Sequence, residues 1–493
     1  MSRGARVVLI LVALVAVAAV LFWRYGAFPL LPSRGGGQTE FEGPRVADAA
    51  DVAVPAGYEV EVVAEGLTFP TDVTFDEQGN VYVLEAGYSY GEVFTVPRLL
   101  RVSADGGKDV VAEGESGPWN GVAYSDGSFY VAGKDGDFGA ILRVTTTGEV
   151  TTVLGGLPSL GDHHTNAATM GPDGQIYFGQ GTATNAGVVG TDNHAFGWLE
   201  RHPDFHDVPC DDVTLAGLNY QTENPLTDAD DNVTTGAYRP FGTASTSDQV
   251  ISGAMPCNGA IMRIEPEGGE PELVAWGFRN PYGLAFAPTG ELYVVNNSYD
   301  ERGSRPVYGT GDLLYRVEEG AWYGWPDFHG DLQLDDEDRF GHATAPAPET
   351  LLSRHPGSPP APAAVLTVHS SSNGMSFSTS EAFGHVGAVF IAQLGDMAPQ
   401  VGKVAMPAGF KVVRVDPDTG VVIDFMVNRD PSGPASYTGT AGLERPISAK
   451  FSPDGSELCV VDFGVMTMSE QGPAPREGTG VVWRVVPAGG GAP

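Results

Sequence analysis

The stretch GDHHTNAATMGPDG, residues 161–174, places two adjacent histidines, His163 and His164, behind an acid, Asp162. Histidine is scarce here, with 10 in 493 residues. A neutral imidazole is the commonest general base, and a neighbouring carboxylate can orient it. Asp162 has the chemistry of such an orienting group. Adjacent residues on a strand point to opposite faces, so His163 is the candidate base and His164 the structural member of the pair. A fixed cation, Arg279, and two amides, Asn280 and Asn120, are the other residues whose types suit a polar reaction site.

What must position them is a repeat. A turn glycine followed by a short strand recurs six times, at Gly79, Gly127, Gly174, Gly290, Gly387 and Gly455. Three residues after each stands Tyr82, Tyr130, Tyr177, Tyr293, Phe390 or Leu458. The glycine suits a hairpin turn that needs positive φ, and the bulky residue packs on one strand face. One apolar run ending in arginine follows each glycine, at Arg101, Arg143, Arg263, Arg316, Arg414 and Arg484. Another apolar strand precedes each glycine, ending at Phe75, Tyr124, Met170, Phe286, Phe377 and Phe451. Six such units predict an all-β six-bladed β-propeller over residues 55–489, closed by the N-terminal strand YEVEVVAEGL. The repeat arginines read as outward residues or partners of acids.

The propeller gives the candidates a common geometry. His163 lies seven residues before Met170, and Arg279 seven before Phe286. The same register in neighbouring blades predicts that both face one mouth of the central channel, where Asn280 and Asn120 join them. Spacing also exposes a long insertion in blade three, about 190–255, and a second excursion between Arg316 and Gly387. Cys210 and Cys257 bracket the first, so a disulfide closing it is expected, with Cys459 a buried thiol. The acidic loop 228–232 reads as solvated.

The bulk numbers bound the rest. Gly and Pro together number 104 (67 and 37), enough for a turn-rich β protein. The net charge of −35, from 62 acids against 27 bases, repels nucleic acid and anionic membranes. Only five of the bases are lysine, which points to a salt-rich habitat or to solubility alone. Residues 1–26 carry Arg3 and Arg6 ahead of an apolar run from Val7 to Trp23, which reads as a signal anchor or a cleaved signal peptide. Either one exports the remainder to a periplasmic or extracellular location, with a single-pass membrane anchor in the first case. Residues 27–54 read as a flexible tether.

The segments DHHTNAATMGPDGQIYFGQG, AWGFRNPYGLAFAPTGELYVVNN, GDLLYRVEEGAWYGWP and ERPISAKFSPDG resemble the quinoprotein glucose/sorbosone dehydrogenases. The resemblance covers most of 58–487. It implies a six-bladed propeller that uses pyrroloquinoline quinone (PQQ) and Ca²⁺ to oxidise a sugar or aldehyde, with a separate electron acceptor. It places the catalytic base on His163 and the cofactor-holding pair on Arg279 and Asn280. Arg279 would polarise the quinone carbonyl, and Asp312, ahead of YGWP, would orient the base or the cofactor. Arg445 would hold the quinone carboxylates. The chain departs from the family at four places: TNAA follows the histidine pair, Gly395 and Ile447 stand where basic residues are expected, and Thr182 replaces an acid supporting the base. Lys403 is a possible substitute cation.

Two other functions fit the sequence. One is a non-catalytic cell-surface propeller that binds a glycan or protein through the blade-three insertion. The other is a metal-dependent lactonase-like hydrolase, for which Glu444, Asp312 and Asp72 are the available carboxylates.

Overall fold

A computed structural model of the chain describes residues 11–20, 40–89, 93–194, 197–342, 345–397, 408–469 and 472–490. The chain is mostly β, with few and short helices, and forms a propeller-like arrangement of six antiparallel sheets. The inner strands are Pro70–Phe75, Gly121–Ser125, Thr165–Met170, Asn280–Phe286, Ser372–Phe377 and Pro446–Phe451. Each packs against the next, and the last packs against the first. We number the blades in that order. Five sheets have four strands; blade five gains a fifth, Val52–Ala53. The strand Tyr58–Leu67 pairs with Gly480–Pro487 as the outer strand of blade six, so the N-terminus completes the last blade.

The repeat performs as its residue types require. All six turn glycines have positive φ, between 69° and 100°. The bulky residues three positions on are buried between blades. There they meet the aromatic that ends the next inner strand: Tyr177 meets Phe286 at 5.1 Å, Tyr293 meets Phe377 at 5.2 Å and Phe390 meets Phe451 at 5.2 Å, all edge-on. The core therefore lies between sheets, not within one layer. Edge-on aromatic contacts of this kind add about 0.5–1.5 kcal/mol each beyond their buried area. Repeat arginines sit on outer faces and bind nearby acids or polar groups: Arg263 pairs with Glu272 and Glu319, Arg484 with Glu61, and Arg101 donates to Asn80.

The excursions are larger than spacing predicts. In blade three, strand two ends at Gln180 and strand three begins at Ala260, so the insertion spans 181–259 and not only 190–255. The expected Cys210–Cys257 disulfide is present, and Cys459 is a buried free thiol. The second excursion falls within blade four, between Gly311–Arg316 and Ala364–Val368. One strand of it, Leu352–Arg354, pairs with Val213–Leu215 of the first, so the two excursions share a small sheet.

Residues 11–20 are helical. The rest of the segment read as an anchor, and residues 27–39 of the expected tether, lie outside the described residues. Among the described residues no helix is long and apolar enough to cross a membrane. The last part of the expected tether is docked. Arg45 binds Asp462 at 2.6 Å and the carbonyls of Gly442 and Thr479, and Ala49–Asp51 forms a 3₁₀ turn beside blade five.

Candidate active site

The inner strands begin at one end of the ring, and their first residues surround a cavity of about 600 Å³, counting its opening to solvent. His163, Asn120, Asn166 and Asn280 line it, with Tyr88, Tyr282, Phe463, Leu394 and Ile447 as less polar walls. Five polar residues singled out in the sequence thus meet at one mouth: His163, Asn120, Asn280, Asp162 and His164.

His163 precedes the inner strand of blade three and is 8% exposed. Its Nδ1 lies 2.9 Å from the Thr182 carbonyl and 3.1 Å from the Thr182 hydroxyl oxygen. A carbonyl accepts only, and the Thr182 hydroxyl spends its proton on the Thr184 carbonyl at 2.7 Å. Nδ1 therefore carries the ring proton and Nε2 is the bare nitrogen. Burial, followed by the Arg279 and Arg302 charges, holds the pKa well below the ordinary histidine value. The ring is a neutral acceptor at physiological pH. Gly181 lets it sit there: a Cβ would stand 2.3 Å from the His163 Cβ and 2.9 Å from Asn280 Oδ1.

The amides form a belt across blades. Asn120 donates to Asn166 (3.2 Å) and the Thr165 carbonyl, Asn166 donates to Asn280 (2.6 Å), and Asn280 donates to Asn297 (2.9 Å). Asn297 passes the chain to the Ser372 carbonyl of blade five at 2.6 Å. Asn166 was hidden inside TNAA, where the family resemblance offered no role for it. Among the described residues Asn120 Oδ1 has no donor and remains available to a ligand. Asp72 closes the other side, accepting from Val122 N and from the Ser448 hydroxyl. Buried polar groups satisfied in this way fix the mouth's shape.

Asp162 and His164 also line the cavity, while Arg279, Asp312 and Arg445 sit elsewhere. Asp162 does not orient His163. It accepts from Asn193 (2.8 Å) and pairs with Arg302 (2.8 Å), while burial pushes its carboxyl up to about 6. His164 does not point away: it lines the same cavity, because residues 163–164 precede the strand and strand alternation does not apply. Arg279 does not line the cavity. It is tied to Asn185 and to Asp300 (2.7 Å) and borders a second, smaller cavity of about 210 Å³. Asp312 touches neither the base nor the cavity. It accepts from Ser298 N, Ser372 N (2.6 Å) and the Ser370 hydroxyl, and so joins blades four and five. Arg445 is fully buried behind the wall, where Nη1 faces the carbonyls of Leu394, Gly395 and Asp396. Its guanidinium lies 5.1 Å from the Phe410 ring centre, and among the described residues Nε and Nη2 have no hydrogen-bond partner.

The missing cations have a steric reason at one position. Gly395 has φ +94°, and a Cβ there would meet the Phe410 ring at 2.4 Å, so position 395 holds no side chain. Ile447 forms part of the cavity wall. Lys403 lies outside the described residues. No lysine or arginine is among the described residues that line the cavity. None of Glu444, Asp312 and Asp72 lines it either, since each carboxylate is spent on internal donors. Among the described residues no group of three His, Cys, Asp or Glu could hold a metal ion. The loop 228–232 is exposed.

Residues 253–418, about a third of the chain, match the family model Glucose / Sorbosone dehydrogenase, and the resemblance seen in the sequence is borne out over that segment. Three similar solved structures share the fold. The holo pyranose dehydrogenase PQQ domain from Coprinopsis cinerea has a TM-score of 0.54 at 16% identity, covering 90% of this chain and 98% of its own. A Trichoderma reesei carbohydrate-active enzyme of family AA12 has 0.53 at 17%, covering 91% and 100%. The PQQ-bound aldose sugar dehydrogenase of Streptomyces coelicolor has 0.50 at 17%, covering 88% and 99%. No curated protein matches the chain.

Proposed function

We propose that this protein is an exported sugar oxidoreductase of the quinoprotein type, with His163 as its base. The observation that carries the reading is the single acceptor nitrogen of His163 in a cavity ringed by ordered amides. The family match over 253–418 and the shared fold support it. A sugar hydroxyl placed against Nε2 gives up its proton there while C1 loses hydride. PQQ, when bound, supplies the electron sink that accepts the hydride. A separate carrier then takes the electrons.

The residues present fit the planar ring of that group, while its three carboxylates meet no cation in the described lining. Tyr88, Tyr282, Phe463 and Ile447 offer flat or apolar walls for a planar ring, and Asn120 offers an open oxygen. Arg445 lies behind the Leu394 wall, and its Nε and Nη2, without partners among the described residues, are donors that a carboxylate would reach only by displacing that wall. Arg279, with its charge committed to Asp300, acts at a distance by keeping the base neutral. With no cation in the described lining, a tricarboxylate should bind no tighter than the micromolar range, about −8 kcal/mol. Calcium is implied by the resemblance alone, so it enters the test as a variable.

The test is a titration of the purified protein with PQQ, with and without Ca²⁺, followed by quinone absorbance. Saturable binding is expected, weakened at least tenfold in Arg445→Met. Sugar-dependent dye reduction should vanish in His163→Ala while the quinone stays bound. No binding at about 100 μM quinone would overturn the oxidoreductase reading and leave a glycan-binding propeller.

A further inference from the structure

The base of this site has no carboxylate against it, yet a buried carboxylate sits at the end of the chain of groups that hold it. Asp207 lies in the blade-three insertion, three residues before Cys210, and is 1% exposed. One of its oxygens accepts from Ala183 N and the other from the Thr184 hydroxyl, both at 2.6 Å. The Thr184 hydroxyl oxygen in turn accepts from Gly187 N at 2.9 Å. The Thr184 carbonyl receives the Thr182 hydroxyl at 2.7 Å, and Thr182 receives the His163 Nδ1 proton. With Asp207 ionised, each link has one workable direction. Reversing the Thr182 hydroxyl would strand the Thr184 carbonyl and remove one acceptor from the imidazole.

The same insertion grips the other end of this loop. Asn258, next to Cys257, donates to the Gly181 carbonyl at 3.0 Å and accepts from Val208 N at 2.9 Å. Loop 181–187 is thus clamped between two arms joined by the Cys210–Cys257 disulfide. A buried carboxylate is costly unless fully hydrogen-bonded. Burial pushes the Asp207 carboxyl up to about 7 even with its two donors, and it fixes a loop that no other described carboxylate binds.

We infer that Asp207 is a positioning residue for the base: through Thr184 and Thr182 it fixes the orientation and tautomer of His163, which makes the disulfide-tied insertion part of the reaction site. This rests on the reading of His163 as the base. The charged and titratable groups facing Asp207 are Asp162 and Tyr238.

The experiment reads the imidazole directly. Long-range ¹H–¹⁵N spectra of histidine-labelled protein, with His163→Gln to assign the signal, should show a bare Nε2 and a protonated Nδ1. In Asp207→Asn and in Thr184→Val that single tautomer should give way to a mixture. Thr184→Ser should restore it. With sugar and dye, kcat should fall on the order of tenfold in Thr184→Val, with KM changed less than about twofold. An unchanged His163 tautomer in folded Thr184→Val would overturn the inference. If Asp207→Asn does not fold, the Thr184 pair still decides. If the wild-type protein oxidises no sugar, the oxidoreductase reading fails and the spectra still decide the role of Asp207.

Discussion

His163 gains its neutrality from burial and from two nearby arginines, with no carboxylate against its ring. The sign of the consequence follows. A base works only when deprotonated, and a lowered pKa moves the loss of that form to lower pH. The acid limb of kcat/KM is therefore expected well below pH 6.5, measurable from pH 4 to pH 8. Thr182→Asp, which puts a carboxylate beside the ring, should move that limb upward. A wild-type limb at or above pH 6.5 would show that the ring is more solvated than its surroundings allow. The histidine and two amides were legible in the sequence because they stand at the polar entries of inner strands; the register that matched His163 to Arg279 misplaced Arg279, which borders the smaller cavity. The partners of His163 were not. A main-chain carbonyl such as that of Thr182 leaves no mark in a sequence, and Asp207 lies 44 positions from the base it serves.

At the scale of elements, legibility follows periodicity. Each inner strand was marked by a positive-φ glycine after it and an arginine strand beyond, so all six blades could be counted. The excursions have no period, and their shared sheet between Val213–Leu215 and Leu352–Arg354 joins segments far apart in sequence. The segment around Arg45 shows the same limit from the other side. Its composition is that of a linker, yet Arg45 is 4% exposed beside a fully buried Asp462. Asp462 also accepts from the backbone of Glu444 and Arg445, so the arm braces the segment that carries Arg445. Breaking a buried pair leaves an uncompensated charge and costs about 3–5 kcal/mol. Arg45→Ala should lie near the low end, since Asp462 keeps its amide donors. Chemical denaturation would show the loss as a lower midpoint with the slope unchanged. A loss below about 1 kcal/mol would mean that the arm is a surface ornament.

For the whole molecule the governing quantity is charge. Sixty-two acids against 27 bases leave −35 on a single compact body, and ion pairs such as Arg484–Glu61 neutralise only a small share of it. Self-repulsion of this size opposes compaction. Screening shortens the reach of each charge from about 10 Å at 0.1 M salt to about 3 Å at 1 M. The thermal midpoint should therefore rise with NaCl, on the order of 5 °C between those concentrations, and then level off once the reach falls below the spacing of surface acids. Exclusion of salt from apolar surface predicts a different curve, one that keeps climbing and is steeper in sulfate. Protonating the acids supplies the control. Near pH 4 the repulsion is largely titrated away, so the chloride effect should shrink there if charge is its cause. A midpoint that is flat in NaCl at pH 7 would mean that the acidic surface serves solubility alone.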